Sequence, residues 1–242
     1  MLSEIFEQVR SQRKKRLAIR PEPFWLYQFK KLVPTLSIVY VLTLSILFIV
    51  VTIHQQTKTS ISDLTRDPAS VMGAPFYVGL LSNIGILLWS ASAAICLFCS
   101  AVLRKDTNNR ELPLFLLFSG IITSIFLLDD LFFFHENIYP AYFNVSEKTV
   151  YLAYAIIVSL YLVRFRVTIF GTEFLLLLFA FVFFGLSVIL GMKLIDLPAS
   201  YYLFKDGAKL FGIVTWSTYF TRIGLRHVKH AILFRQQGFA YD

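Results

Sequence analysis

Four ionisable side chains lie inside the otherwise apolar stretch "TSIFLLDDLFFFHENIYP", which covers residues 123–140: Asp129, Asp130, His135 and Glu136. Carboxylates and imidazoles are the side chains that transfer protons and bind divalent metal ions in proteins. Two adjacent aspartates in a low-dielectric environment do not both stay ionised unless something neutralises them. The stretch therefore predicts a proton, a metal ion or another cation at this pair.

The composition is that of an integral membrane protein. The 242 residues are 57% hydrophobic and only 16% charged, whereas soluble domains are about 45–50% apolar and about 25% charged. The 25 phenylalanines and 12 tyrosines are typical of a helical bundle with aromatic side chains at the membrane interfaces. The two cysteines, Cys96 and Cys99, share one apolar segment at a spacing that suits packing better than a disulfide.

Six apolar segments are long enough to cross a hydrocarbon core of about 30 Å, which needs about 20 helical residues. They cover residues 32–53, 77–103, 112–134, 149–165, 172–195 and 203–220. When alternate loops are assigned to opposite sides, 17 of the 23 Lys and Arg residues fall on the side of the N-terminus and five on the other. By the positive-inside rule, we predict an all-α bundle of six transmembrane helices with both termini in the cytoplasm.

The chain divides into a basic cytoplasmic arm (residues 1–31), a six-helix transmembrane domain (32–220) and a basic cytoplasmic tail (221–242). We predict that the protein lies in a bacterial inner membrane or a thylakoid. The bilayer is the expected surrounding, and a membrane-complex partner or a second copy is the expected protein partner. The net charge of +8 is explained by the topology, so the sequence does not predict nucleic-acid binding.

The N-terminal arm is predicted to be an amphipathic helix. Its apolar residues at one helical face are Leu2, Ile5, Phe6 and Val9, and the basic run "RSQRKKR" follows them. Such a helix lies on anionic lipids of the inner leaflet, where each basic residue contributes about 1 kcal/mol of binding. Docking of a soluble partner is the alternative for this arm.

The predicted orientation brings polar residues of all six spans to one outward-facing layer. Asp129 and Asp130 lie about 6–8 Å below the outer end of the third span, given the helical rise per residue. Asp206 and Lys209 lie one turn apart at the outer start of the sixth. The other spans contribute His54, Ser82, Asn83, Tyr151, Tyr154 and Asp196. Polar positions at unrelated depths would not coincide in this way, so we expect one pocket here.

The first interpretation of this layer is a divalent metal site. The candidate ligands are Asp129, Asp130, His135 and Glu136, with Asp206 or His54 completing the shell. Carboxylate and imidazole ligands suit zinc, manganese or iron. Such a site activates water for hydrolysis of a membrane substrate, and the catalytic carboxylates would then be Asp129, Asp130 and Glu136.

Two other interpretations use the same residues. The carboxylates also fit a proton- or cation-coupled transporter. Alternatively, the protein is a non-catalytic scaffold or assembly subunit, held together by a buried ion pair in which Lys209 meets the carboxylates of Asp130 and Asp206.

The second span carries a stripe of mostly small residues at alternating spacings of three and four: Ser82, Gly85, Trp89, Ser92, Cys96 and Cys99. Small residues at helix interfaces let membrane helices approach closely. The stripe predicts close packing of this span, and Gly212 with Trp216 predicts the same for the sixth.

The segments "LLDDLFFFHE" and "KDGAKLFGIVTW" resemble the signature of a group of uncharacterised bacterial multi-pass proteins. That group carries a similar Leu-Asp-Asp/Glu stretch ending in His-Glu, and an acidic–Gly–Lys–Gly element on a later helix. The resemblance covers roughly residues 77–220 and implies no activity. It implies that one site is formed by six residues: Asp129, Asp130, His135, Glu136, Asp206 and Lys209.

Overall fold

The structure, a computed structural model, describes residues 24–65, 68–75, 77–104, 110–191 and 201–238. Most of the predicted N-terminal arm and Asp196 lie outside these ranges. Within them every regular element is helical: α1 (Phe24–Thr57), α2 (Ile61–Thr65), α3 (Pro68–Val71), α4 (Leu80–Leu103), α5 (Glu111–Phe132), a π-helical turn (Phe134–Ile138), α6 (Tyr139–Phe143), α7 (Glu147–Arg164), α8 (Arg166–Phe170), α9 (Phe174–Gly191) and α10 (Tyr201–Gly238).

The chain forms two compact units, Met1–Val78 and Gly79–Asp242. In the first unit, α1 is a long apolar helix, and none of its described side chains from Leu32 to Thr57 is buried. At its end, the Nδ1 atom of His54 lies 2.7 Å from the carbonyl oxygen of Thr59, so this histidine closes the turn after the helix.

Four helices are long and apolar enough to cross a membrane: α1 from Leu32, α4, α5 and α9. A fifth span results if the bent pair Phe134–Phe143 and Glu147–Arg164, whose axes differ by 117°, is counted as one. The chain is therefore a helical protein with four or five candidate spans in its described part. Helix α10 does not join them because Lys205, Asp206 and Lys209 interrupt its apolar start.

Helix α10 nevertheless holds the core of the second unit. It packs against α4 and α9, and α4 packs against α5. Trp216, Tyr219 and Phe220 of α10 are fully buried. The indole N–H of Trp216 donates to Thr123 Oγ1 at 3.1 Å, so this bulky side chain is fixed to α5 as well as packed.

The small-residue stripe of α4 lies in these interfaces. Gly85, Trp89, Ser92, Cys96 and Cys99 are all buried. Ser82 at the start of the stripe is exposed. A Cβ atom added to Gly224 of α10 would lie 2.7 Å from Cys99 Sγ, so at this position α10 leaves no room for a side chain beside α4.

Two ion pairs link helices of this unit near the start of α5 and the start of α9. Arg164 makes a two-pronged contact with Glu111, at 3.0 and 3.1 Å. Arg222 makes another with Glu173, where its Nη2 lies 2.7 Å from Oε1. Both pairs are exposed and so contribute little to stability.

Gly212 gives a direct test of helix packing. A Cβ atom at this position would lie 2.5 Å from a ring carbon of Phe184 in α9, and a ring cannot move aside as a flexible chain end does. We expect Gly212→Ala to lower the free energy of unfolding by about 1–3 kcal/mol. Unfolding in mixed micelles of rising SDS content measures the change.

The matched control is Gly207→Ala in the same helix, where no atom lies within 4 Å of an added Cβ. We expect this variant to be neutral or more stable by up to about 1 kcal/mol, since alanine favours helices over glycine. Equal effects of the two substitutions would contradict the packing of α9 against α10.

Candidate functional site

A cavity of about 760 Å³ lies in the second unit, where five helix ends meet. Its walls come from the start of α4, the end of α5, the start of α7, the end of α9 and the start of α10. Pockets of this size hold small-molecule ligands in other proteins. The predicted site residues Asp129, Asp130, His135, Glu136, Asp206 and Lys209 all line it.

Asp129 holds the turn that follows α5. Phe133 ends this helix in a left-handed conformation, with φ of 54°, which turns the chain back toward the helix. His135 then donates twice to the carboxylate of Asp129. Its backbone N–H reaches Oδ1 at 3.0 Å and its ring Nδ1 reaches Oδ2 at 2.6 Å. The left-handed residue thus brings His135 back to Asp129.

A third donor completes the shell of Asp129. The hydroxyl group of Tyr154, in α7, donates to Oδ1 at 2.9 Å. The Asp129 residue is only 5% exposed, so these three donors replace the water that a buried carboxylate loses. Asp129 is therefore satisfied by its own turn and by α7, without Lys209.

The ring of His135 is fixed on two sides. A carboxylate only accepts hydrogen bonds, so the proton of the neutral imidazole lies on Nδ1 and the lone pair on Nε2. Nε2 lies 3.6 Å from Glu136 Oε1. The ring of Tyr151 packs beside the imidazole at 5.2 Å between centroids. This arrangement presents Nε2 as a proton acceptor.

Asp130 has different partners, from two other helices. Lys209 Nζ of α10 lies 2.6 Å from Oδ1, and the indole N–H of Trp89, in α4, donates to Oδ2 at 3.0 Å. The Asp130 side chain is 12% exposed and the Lys209 side chain 40%. Asp130 thus ties α4, α5 and α10 together, and the lysine that neutralises it remains partly open to the cavity.

Asp206 and Glu136 line the cavity as exposed residues. Asp206 is exposed on the cavity wall and forms no ion pair with a described residue, so Lys209 meets Asp130 rather than Asp206. The Glu136 side chain is 45% exposed. His54 belongs to the N-terminal unit, and Asp196 lies outside the described residues.

The predicted metal site receives no support from this geometry. Among the described residues, no group of three or more His, Cys, Asp and Glu side chains is arranged to hold a metal ion. The adjacent carboxylates explain why: Asp129 faces His135 and Tyr154, while Asp130 faces Lys209 and Trp89. A metal site formed by Asp129, Asp130, His135, Glu136, Asp206 and His54 stays a prediction.

The aromatic residues that line the cavity were not predicted from the sequence. Trp89 was interpreted as a packing residue, and Phe126, Phe181 and Phe184 drew no attention, although all four line the cavity. Trp89 stacks on Phe184 with ring centroids 5.6 Å apart and meets the edge of Trp216. The signal was present in the phenylalanine content, but apolar periodicity does not distinguish a cavity wall from a core.

Comparison with known proteins gives a family without an assigned role. A family model described as a domain of unknown function (DUF8692) matches residues 37–223. The match begins earlier than the resemblance from the two motifs, inside the first predicted span. No curated protein and no solved structure matches the chain.

Proposed function

Since the chain belongs to this family, whose description assigns no activity, we propose from the site that the protein binds an amphipathic substrate in the cavity and hydrolyses it. His135 is the proton acceptor in this proposal, and Asp129 is its positioning residue. The observation that carries the proposal is the Asp129–His135 pair on the cavity wall, with Nδ1 and Oδ2 2.6 Å apart.

A carboxylate bound to one imidazole nitrogen does two things for catalysis. It fixes the tautomer, so that the other nitrogen is free to take a proton, and it stabilises the imidazolium ion that forms. In hydrolysis, Nε2 of His135 takes a proton from water as the water oxygen adds to the substrate carbonyl carbon. The imidazolium then returns that proton to the leaving atom as its bond to carbon breaks.

The cavity also has the two kinds of side chain that an amphipathic molecule needs. Its lining includes apolar side chains, among them Val158, Val188 and Ile213, as well as the ionisable residues. In the predicted six-span topology with both termini in the cytoplasm, the ionisable residues lie at the outer membrane–water boundary. There a lipid-like substrate meets water, which hydrolysis consumes.

This proposal changes the predicted catalytic residues. Asp129 and Asp130 are occupied by donors from the protein, so they position other groups instead of meeting the substrate. Glu136 remains a candidate, because its carboxylate lies beside Nε2 of His135 and is partly exposed. A divalent metal is not needed to neutralise the aspartate pair in this arrangement.

The test is conversion of lipids by the purified protein. In nanodiscs made from a total lipid extract, we expect one lipid class to decrease and its hydrolysis product to increase, as measured by mass spectrometry. His135→Gln should abolish the conversion, because glutamine cannot accept the proton. His230→Gln is the matched control and should convert normally. A wild-type rate in the His135 variant would refute the proposed role.

One observation favours a transporter as the second candidate. The helix pair that follows Asp129 is bent by 117° at its break, and broken helices at a polar site are common in secondary transporters. A proton- or cation-coupled transporter would show pH-dependent uptake into proteoliposomes and leave the lipids intact. That result would replace the hydrolase proposal.

A further inference from the structure

We propose that the amphipathic molecule bound in the cavity carries a cationic head, such as an alkylammonium group, instead of an anionic one. The inference rests on the proposed function, since it concerns the ligand of the same cavity. It follows from the charges that remain once the ion pairs of the cavity are formed, and from the side chains that surround them.

Among the described residues that line the cavity, carboxylates outnumber ammonium groups. Lys209 is neutralised by Asp130, and Asp129 is matched by the donors of His135 and Tyr154. Three other charged residues belong to the described wall: Asp206, Lys205 and Glu136, whose Oε1 lies 3.6 Å from Nε2 of the imidazole of His135. Glu136 and Asp206 are exposed, and Lys205 is half-buried. Two carboxylates against one ammonium group give a wall that attracts cations and repels anions.

The uncharged part of the wall favours the same ligand. Aromatic rings line the cavity from four helices and include Trp89, Phe126, Tyr151 and Phe184. The face of an aromatic ring attracts an ammonium or quaternary ammonium group, and several rings around one site are the usual way to bind such a group. Aromatic rings attract an anionic phosphate or sulfate head less than a cationic one.

Apolar side chains of the cavity accommodate the tail. Val158, Val188, Leu210 and Ile213 line the cavity from α7, α9 and α10. An alkyl chain attached to the cationic head can therefore lie against apolar side chains while the head faces the carboxylates.

Three photoreactive probes with the same diazirine-bearing alkyl chain test this inference. Their heads are trimethylammonium, hydroxyl and sulfate, and the protein is held in zwitterionic nanodiscs. We expect the ammonium probe to label cavity peptides about tenfold more than the hydroxyl probe at equal concentration, with the sulfate probe weakest. Labelled peptides are quantified by mass spectrometry.

Variants separate binding in the cavity from enrichment at the membrane surface. Ala155 lines the cavity and Ala153 of the same helix does not, so Ala155→Trp should suppress labelling and Ala153→Trp should not. Asp206→Asn combined with Glu136→Gln should reduce the preference for the ammonium probe. Lys205→Gln should increase it, and a gain cannot arise from misfolding.

The two possible failures are distinguishable. Labelling that is equal for all heads, or strongest for sulfate, overturns the cationic head but leaves an amphiphile-binding cavity. Labelling of cavity peptides that never exceeds the Ala155→Trp level for any probe overturns the proposed function together with this inference.

Discussion

Asp129→Ala is expected to lower the free energy of unfolding by about 3–5 kcal/mol, because three donors lose a charged acceptor at a cost of about 1–3 kcal/mol each. The substitution removes the acceptor of three hydrogen bonds, from the backbone and ring of His135 and from Tyr154. The backbone N–H of His135 then stays buried without a partner, which carries its own cost. The turn after α5 should loosen as a result.

Unfolding in mixed micelles measures this loss, and the tautomer of His135 gives a second readout. In ¹⁵N spectra of histidine-labelled protein, the wild type should show His135 protonated at Nδ1, and Asp129→Ala should lose this signature. Glu136→Ala is the control, since that side chain is exposed and its loss should cost less than about 0.5 kcal/mol. Similar losses for the two variants would show that Asp129 does not hold the turn.

Asp129→Asn distinguishes the acceptor from the charge. The amide oxygen of asparagine can still accept from the backbone N–H of His135, but its NH₂ group cannot accept from Nδ1. We therefore expect a smaller stability loss than for alanine, together with the same change in the His135 tautomer. In the proposed function, this folded variant should have lost most of its activity.

Sequence reasoning could place the ionisable residues of the second unit because depth in a membrane follows from helical rise. Asp129, Asp130 and Lys209 were expected at one depth in the membrane, and in the structure all three line one cavity. Which of these side chains form pairs was not predictable from the sequence. It depends on Phe133, whose left-handed conformation is uncommon for a bulky residue, and no turn residue in the sequence signals it.

The C-terminal end of α10 shows a different limit of prediction from sequence. Hydropathy predicts where a chain leaves the bilayer, at about residue 220, but a helix continues for as long as its backbone bonds are favourable. No proline interrupts the tail, and Gly224 is held against Cys99. The helix therefore extends to Gly238, through a segment that sequence analysis separated as a tail. The six spans and their orientation remain predictions.

Helix packing was predictable in kind but not in detail. The spacing of small residues identified the buried face of α4, because a stripe at three and four lies on one side of a helix. It could not identify which side chain each glycine meets, since that depends on crossing angles. Gly212 against Phe184 and Gly120 against Leu97 are contacts that only the three-dimensional arrangement defines.

The ion pair between Lys209 and Asp130 should respond unequally to the loss of either partner. The Asp130 side chain is 12% exposed, whereas the Lys209 side chain is 40% exposed and can reach water in the cavity. Lys209→Met leaves a nearly buried carboxylate with Trp89 as its one remaining described donor, and we expect a loss of about 2–3 kcal/mol. Asp130→Asn leaves a lysine that water can solvate, so we expect about 1 kcal/mol.

The double variant tests whether the two residues act on each other. If the pair is direct, Lys209→Met with Asp130→Asn should be more stable than the sum of the single losses predicts, by about 1–2 kcal/mol. Lys205→Met, a half-buried lysine of the same helix end that forms no ion pair with a described residue, is the control. It should show no coupling to Asp130→Asn.

Additive losses would mean that Lys209 and Asp130 stabilise the bundle separately and that the carboxylate is neutralised in another way, by a proton or a bound cation. A strong coupling would assign the two adjacent aspartates different roles. Asp130 would then join three helices, and its carboxylate would be neutralised by Lys209. Asp129 would keep its donors from His135 and Tyr154, and its contact with the imidazole is the arrangement that proton transfer in the cavity requires.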